Sequence, residues 1–271
     1  MPELPEVEIT LQGIAPHLTG QSIRELVLRT AKLRQPLDVD CCYLLPGQTI
    51  QRLERRAKYL LLHCDRGTLI LHLGMSGHLR MLPAETTERK HDHIDLILTN
   101  GQMLRFTDPR KFGLFIYTEA AVEHHRLLKD LGPEPLAADF SSTYLYVRSR
   151  GRKQAIKPFI MDQKTVVGVG NIYASEALFR AGINPRRAAG GVGRQRYALL
   201  VTAIRRVLLE AIAAGGTTIS DFAGSDGRPW FFDRQLRVYG RAGLPCFSCG
   251  RPIKSLRLGQ RSTYFCSRCQ T

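Results

Sequence analysis

Apolar residues recur along the chain with two different periods, and the change from one to the other divides it. From Pro5 to Leu18 the apolar positions Val7, Leu11, Ile14 and Leu18 stand three or four apart. That spacing predicts a helix that buries one face, with Gly20 as its stop. From Ser22 to about Thr118 the pattern shortens to alternation. Runs at Ile23–Leu28, Tyr59–His63, Leu69–Leu73, Ile94–Leu98, Met103–Phe106 and Leu114–Tyr117 predict strands. Asp65-Arg66-Gly67 and Asn100-Gly101 separate them, the latter a hairpin signal. Many short strands with one helix beside them predict a two-layer β-sandwich.

Gly132-Pro133-Glu134-Pro135 predicts a hinge out of this domain. Helical spacing returns at Ser142–Ser149, Asn171–Ala181 and Arg194–Ala214, the last closed by Gly215-Gly216. The stretch from Thr217 to Asp233 is polar, glycine-containing and aperiodic, and reads as a mobile loop. A short cysteine-bounded module ends the chain. The expected organisation is α+β and multidomain, with domains at 1–131, 132–236 and 237–271 and no internal repeat.

Charge narrows the function. In 271 residues, 39 Lys and Arg stand against 24 Asp and Glu, a formal net charge of +15. An excess of that size on a chain long enough for two domains points to a polyanionic partner. A membrane is not expected, because there is neither a polybasic amphipathic helix nor an apolar run of spanning length. Glu3, Glu6 and Glu8 interrupt what would be a secretory signal, so a cytoplasmic location is expected. Cys41, Cys42 and Cys64 are scattered without a pairing logic, as in a reduced protein.

The other four cysteines are ordered. Cys246-x-x-Cys249, sixteen residues, then Cys266-x-x-Cys269 suits one tetrahedral Zn2+ on two knuckles. Four thiolates close the shell, so the metal is structural. Arg251, Lys254, Arg257, Arg261 and Arg268 crowd the module and suit phosphate.

Gly168-Val169-Gly170-Asn171-Ile172 is a glycine turn entering a helix. Asn171 reads as its cap, or the turn as an anion site at the positive helix end. Arg55-Arg56-Ala57-Lys58-Tyr59, His72 and Asp108-Pro109-Arg110-Lys111-Phe112 bring cations to strand ends. Met75, in Gly74-Met75-Ser76-Gly77, and Phe112 read either as core residues or as loop-tip wedges for a base stack. His91-Asp92-His93 fits a hydrogen-bonded histidine pair better than a metal site.

The chain opens with Met1-Pro2-Glu3-Leu4-Pro5-Glu6. Removal of Met1 would leave a secondary amine at Pro2, with a pKa near ~8 that keeps a nucleophilic fraction at neutral pH. Such an amine can attack a sugar C1′ and form an iminium, with Glu3 beside it to exchange protons. The alternative is that Pro and Glu simply start a helix.

Pro2-Glu3-Leu4-Pro5-Glu6-Val7-Glu8, His72-Leu73-Gly74-Met75-Ser76-Gly77, Thr107-Asp108-Pro109-Arg110, Gly168-Val169-Gly170-Asn171-Ile172-Tyr173 and the four-cysteine finger together resemble the bacterial formamidopyrimidine-DNA glycosylases, in order, from Pro2 to Gln270. The resemblance implies a β-sandwich with a flanking helix, a helix–two-turn–helix domain and a zinc finger. It implies a monomer that binds double-stranded DNA carrying oxidised purines or abasic sites, excises the base and cleaves the strand by β,δ-elimination. Pro2 would be the nucleophile and Glu3 its proton partner. Lys58 and Arg261 would protonate in the first and second eliminations. His72, Asn171, Tyr239 and Arg261 match phosphate clamps, and His91, Arg110 and Arg152 match DNA contacts. Met75, Arg110 and Phe112 match the residues that fill the space of the extruded base. Lys157 matches a lysine that handles it. Arg152 and Pro229-Trp230-Phe231-Phe232, where relatives often carry Lys and a Gly-Tyr-Phe run, are the departures. Trp230 falls in the loop expected to close over the base. Two other readings are an endonuclease VIII-like enzyme for oxidised pyrimidines and a zinc-finger DNA-binding protein without catalysis. The latter leaves Pro2 and the sandwich without a role.

Overall fold

The computed structural model describes residues 2–215 and 236–271. The expected loop at 217–233, with Trp230, lies outside these residues. The chain divides into two compact units, one reaching to Lys129 and the other holding Asp130–Ala214 and the C-terminal residues.

The first unit opens with helix α1 (Leu4–Leu18), strand β1 (Ile23–Leu28) and one helical turn, α2 (Cys41–Leu44). Seven strands follow: β2 (Ile50–Arg56), β3 (Tyr59–Cys64), β4 (Thr68–His72), β5 (His78–Pro83), β6 (Asp92–Leu98), β7 (Gln102–Thr107) and β8 (Leu114–Thr118). They form two antiparallel sheets, β2-β3-β4-β8 and β1-β6-β7-β5. Leu60, Leu62, Leu69 and Leu71 from one sheet share a core with Leu26, Ile94, Leu96, Leu104 and Phe106 from the other. Val7, Ile14 and Leu18 of α1 enter the same core, which is the expected sandwich with its flanking helix. Gly101, at φ 81°, closes the β6–β7 hairpin where Asn100-Gly101 signalled it.

Alternation did not mark β2 or β5, and position explains why. Both are edge strands of their sheets, and each buries a single hydrophobic side chain completely, Ile50 and Leu79. Leu53 and Met81 only partly cover the core, and charged or polar residues take much of the rest of each strand, as edges favour. Cys41 and Cys64 are buried free thiols, which burial pushes up to about 11 and about 12, so neither is a thiolate at neutral pH.

The outer face of β6 holds charge out of water. Arg105 on β7, 1% exposed, donates two hydrogen bonds to its cross-strand partner Asp95, at 2.7 and 2.8 Å. It also reaches Asp92 and the carbonyls of Thr86 and Thr87, while Arg29 pairs with Asp95 and Arg80 with Asp92. Burial alone would raise the Asp95 carboxyl, but the hydrogen bonds from Arg105 and Arg29 outweigh it and hold its pKa below the ordinary range.

The second unit contains α3 (Ser142–Ser149), α4 (Ile156–Met161), α5 (Asn171–Arg180), α6 (Arg194–Ala213) and a hairpin of β9 (Lys254–Leu258) and β10 (Arg261–Phe265). The Ser141 hydroxyl accepts from the Tyr144 N–H and starts α3. In α6, Leu200, Val201, Ile204, Val207, Leu208 and Ala211 bury one stripe. Six residues are too few for α4 to show a period, and Pro158 is tolerated there because it sits in the first turn. The hairpin module is fastened to the helices by its tail. The Gln270 side chain donates to the Ile183 carbonyl and accepts from the Cys266 N–H, both at 2.9 Å, and Thr271 N–H donates to Gly182. Among the described residues no helix is long and apolar enough to cross a membrane.

A depressed carboxylate stabilises the fold above its unfolded pKa and loses that contribution as pH falls through the folded value. Asp95→Asn, which leaves Arg105 buried beside a neutral partner, is therefore expected to cost about 3 kcal/mol or more near neutral pH. The loss should shrink in acid. Denaturant unfolding of both proteins across the acid range checks this, and a pH-independent difference would contradict it.

Candidate functional site

The chain's first residues are held by the helix they begin. Glu3 is the N-cap of α1, and it forms a reciprocal pair with Glu6: each side chain accepts from the other's backbone N–H, with Glu3 N–H to Glu6 Oε2 at 2.8 Å. Pro5 falls in the first turn, where its missing N–H costs nothing. Glu3 and Glu6 are each 2% exposed, and Leu4 and Val7 behind them are buried. Glu3 therefore does start the helix, as the simpler reading held, and the same bonds immobilise its carboxylate one residue from Pro2.

Lys58 is carried next to this helix. It lies in the two-residue turn between β2 and β3, after Ala57, whose φ of 57° is left-handed. Arg55 ties the turn to the helix: it donates to Glu8 of α1 at 2.7 Å and to the Ala57 carbonyl at 3.0 Å. A charge at residue 58 thus rides on a strained hairpin bolted to α1.

His72 ends β4, its ring 5.0 Å from that of its cross-strand partner Tyr59. Gly74 N–H donates to Nδ1 at 2.9 Å, which puts the ring proton on Nε2. Burial, followed by the nearby charges of Arg34 and Lys58, lowers its pKa to about 3. The expected clamp is therefore a neutral donor rather than a cation. Arg34 escaped the sequence reading. Its side chain belongs to this cluster and its backbone N–H donates to the Gly113 carbonyl, but it sits in an irregular loop after β1 that has no period.

Met75, Arg110 and Phe112 stand on two adjoining loops of the same unit. Phe112 is 42% exposed, with the Arg110 guanidinium 4.9 Å from its ring centre, so it is a loop-tip residue and not core. Met75 is partly buried. His91 precedes β6 at φ 77°, and its carbonyl accepts from the Asp108 N–H. Its ring lies edge-on to that of His93, 6.3 Å away.

In the second unit, the cap of α5 is Gly170, and Asn171 is the first helical residue. The expected capping role of Asn171 is thus corrected. Its side chain is claimed from elsewhere: Lys157 Nζ donates to Asn171 Oδ1 at 2.7 Å, to the Thr263 hydroxyl at 2.9 Å and to the Ser262 carbonyl at 3.0 Å. What Asn171 can offer an anion is its amide N–H. Lys157, 1% exposed, braces α5 against the strand that starts at Arg261.

Glu176 is a second residue that periodicity could not single out. It is buried in the apolar run of α5, and its carboxylate accepts from the N–H groups of Arg237, Val238 and Tyr239, each at 2.9 Å. The signal was one acid among buried positions. Tyr239 is thereby fixed, with its ring 5.2 Å from that of Tyr264 on β10. Arg152 is exposed on the loop after α3, where its carbonyl accepts from Gly190.

The four cysteines converge. Their sulfurs lie within 4.8 Å of one another, with Cys246 to Cys269 at 3.9 Å and Cys249 to Cys266 at 3.5 Å. A tetrahedron with Zn–S bonds of about 2.3 Å has edges of this length, so the set fits one zinc. Burial and the neighbouring sulfurs push the Cys269 thiol up to about 12, because crowded thiols do not ionise without a cation among them. The Gly259–Gln260 turn of the finger has both residues left-handed and delivers Arg261, exposed, at the start of β10. Arg251, Lys254, Arg257 and Arg268 are exposed around it.

Comparison with known proteins covers all of these elements. A model of the formamidopyrimidine-DNA glycosylase N-terminal domain matches residues 1–115, one of the H2TH domain matches 131–223, and one of a zinc finger found in FPG and IleRS matches 243–271. The chain is 55% identical over 270 residues to formamidopyrimidine-DNA glycosylase of Stutzerimonas stutzeri, covering 100% of both chains. Its fold superposes on the MutM (Fpg) protein of Thermus thermophilus with a TM-score of 0.87 at 37% identity, covering 99% of this chain and 98% of that one. It superposes on Fpg of Lactococcus lactis, in complex with DNA containing N7-benzyl-Fapy-dG, with a TM-score of 0.92 at 33% identity and full coverage of both.

A histidine whose pKa falls on folding binds its proton more readily in the unfolded chain, so the fold loses stability as pH drops from about 6.5 towards the folded value. His72 should stay neutral, with its proton on Nε2, at pH ~5. Nitrogen-resolved NMR of the histidine rings checks this, and a His72 midpoint near the ordinary value would contradict it.

Proposed function

The chain belongs to the formamidopyrimidine-DNA glycosylase family, and on that premise we propose how its residues divide the work. It is a bifunctional DNA glycosylase and AP lyase that removes oxidised purines from duplex DNA and then cuts the strand. The observation that carries the assignment of the nucleophile is the Glu3–Glu6 pair, which fixes the chain's first residues at the head of a buried helix.

With Met1 removed, the Pro2 nitrogen attacks C1′ of the extruded nucleotide as the C1′–base bond breaks and the base leaves with its electron pair. Glu3 takes the proton released by the attacking nitrogen and gives it to the ring oxygen, the sugar opens, and nitrogen and C1′ form an iminium. That cation draws electrons from C2′, whose proton is lost as the 3′ phosphate departs, with Lys58 as proton donor. A second elimination expels the 5′ phosphate, with Arg261 as proton donor. Water then hydrolyses the remaining iminium and frees Pro2.

The DNA contacts follow the chemistry of each side chain. Arg110 and Arg152 meet phosphate as charges, whereas His72, Asn171 and Tyr239 are neutral donors that orient the backbone, and His91 contacts the strand from its own loop. Lys157 acts on the damaged nucleotide by holding Asn171 and the Arg261 strand in place. The three acceptors around its buried Nζ support this indirect way of handling the base. Zinc on Cys246, Cys249, Cys266 and Cys269 would supply no reaction chemistry, because four thiolates would fill its shell; it would hold the two knuckles that flank the hairpin carrying Arg261. Met75, Arg110 and Phe112 fill the space left by the extruded base.

Single-turnover assays on matched duplexes, one with 8-oxoguanine opposite cytosine and one with an oxidised pyrimidine, test the substrate class. The purine should be removed faster by about tenfold or more, leaving phosphate on both sides of the gap. Faster removal of the pyrimidine would assign the endonuclease VIII-like activity instead.

A further inference from the structure

The void-filling side chains sit on two separate loops, and one buried carboxylate joins them. Asp108 is 0% exposed. Its Oδ1 accepts from the Ser76 hydroxyl at 2.7 Å and from the Arg110 N–H at 3.2 Å, and its Oδ2 accepts from the Gly113 N–H at 2.8 Å. The Ser76 oxygen in turn accepts from the Arg110 N–H at 3.2 Å. The Asp108 backbone is held as well. Its N–H donates to the His91 carbonyl, and its carbonyl bonds the His93 ring and accepts from the Lys111 N–H. The side-chain bonds start from the residue after Met75 on one loop and from Arg110 and the residue after Phe112 on the other.

The glycines show how tightly these loops meet. A Cβ on Gly74, which has φ 64°, would lie 2.4 Å from the Phe112 carbonyl carbon and 2.6 Å from the Gly113 nitrogen. One on Gly77 or Gly113 would lie 2.7 or 2.5 Å from the Phe106 ring. Backbone rests on backbone, and both loops rest on one core aromatic. Lys111, between Arg110 and Phe112, is left-handed at φ 55°, a conformation that persists only where its surroundings enforce it.

We propose that Asp108 is a positioning residue for base extrusion: it locks the Met75 loop to the Arg110–Phe112 loop so that the three side chains enter the base stack as one body. The proposal rests on the reading that these side chains fill the void. Asp108 touches no reacting atom. Its effect is confined to substrates that have a stack to enter, because a wedge displaced by about 1 Å loses up to 10²-fold in rate only where wedging is part of the reaction.

The test uses Asp108→Asn, in which an amide N–H must face one of the three donors, and Ser76→Ala, which removes both bonds of the Ser76 hydroxyl and leaves the carboxylate. Each is compared with wild type on an 8-oxoguanine duplex and on a single-stranded abasic oligonucleotide. Binding to a duplex with a tetrahydrofuran site and a neighbouring 2-aminopurine is followed by fluorescence. Both variants should lose about tenfold or more in duplex excision beyond any loss on the single strand, and both should blunt the fluorescence change. Equal losses on the two substrates, or a full fluorescence change, would overturn the proposal and leave Asp108 a folding residue. Met75→Ala separates the two readings. If it excises from the duplex at the wild-type rate, the void-filling reading is wrong. If it is slow while the Asp108 and Ser76 variants lose equally on both substrates, the Asp108 proposal alone fails.

Discussion

The proposed nucleophile, the amine of Pro2, can be aimed only if the chain's first residues are held still. Chain ends fray unless something ties them down, and here the tie is a helix that begins at the fourth residue. Its buried stripe fixes the helix in the sandwich core, and the Glu3–Glu6 pair fixes the first turn. The Lys58 hairpin is then bolted to the same helix through Arg55 and Glu8. A loose first turn would leave the proposed nucleophile without direction, and the rate advantage of proximity would be lost.

Rigidity recurs wherever a contact to DNA is proposed. Among the described residues, the non-glycine residues with left-handed backbone are Ala57, His91, Lys111 and Gln260. One is a proposed DNA contact and the other three adjoin Lys58, Arg110 and Phe112, and Arg261. Such conformations cost of order 1–3 kcal/mol each and survive only where neighbouring structure over-determines them. The Asp108 backbone holds two of them, bonding the His91 carbonyl and the Lys111 N–H, and buried polar side chains brace other proposed contacts: Asp108 under the wedge loops, Lys157 under Asn171, Glu176 under Tyr239. The side chains proposed to contact DNA are exposed or half-buried, whereas those that brace them are buried.

This division explains what the sequence made legible. The central strands announced themselves by alternation and the zinc site by local spacing, because both signals lie within a few residues. The edge strand β2 carried too few apolar side chains to alternate, and in β5 Leu82 interrupts the alternation of Leu79 and Met81. The bracing residues were hidden for a different reason. Asp108 and Ser76 are 32 positions apart, and Lys157 and Thr263 are 106 apart, so nothing in either neighbourhood marks the pair. Asn171 looked like a cap because glycine precedes it and a helix follows, yet the cap fell to Gly170 once Lys157 claimed the asparagine oxygen. His72 looked like a cation, and burial beside Arg34 and Lys58 made it neutral.

The most direct measurement of the central claim is borohydride trapping on an 8-oxoguanine duplex followed by peptide mass mapping, with Met1 removal verified and zinc bound. The account requires a reduced sugar adduct on the peptide that begins at Pro2, attached to its nitrogen. An adduct on Lys58 or any other amine, or no adduct at all, would contradict it.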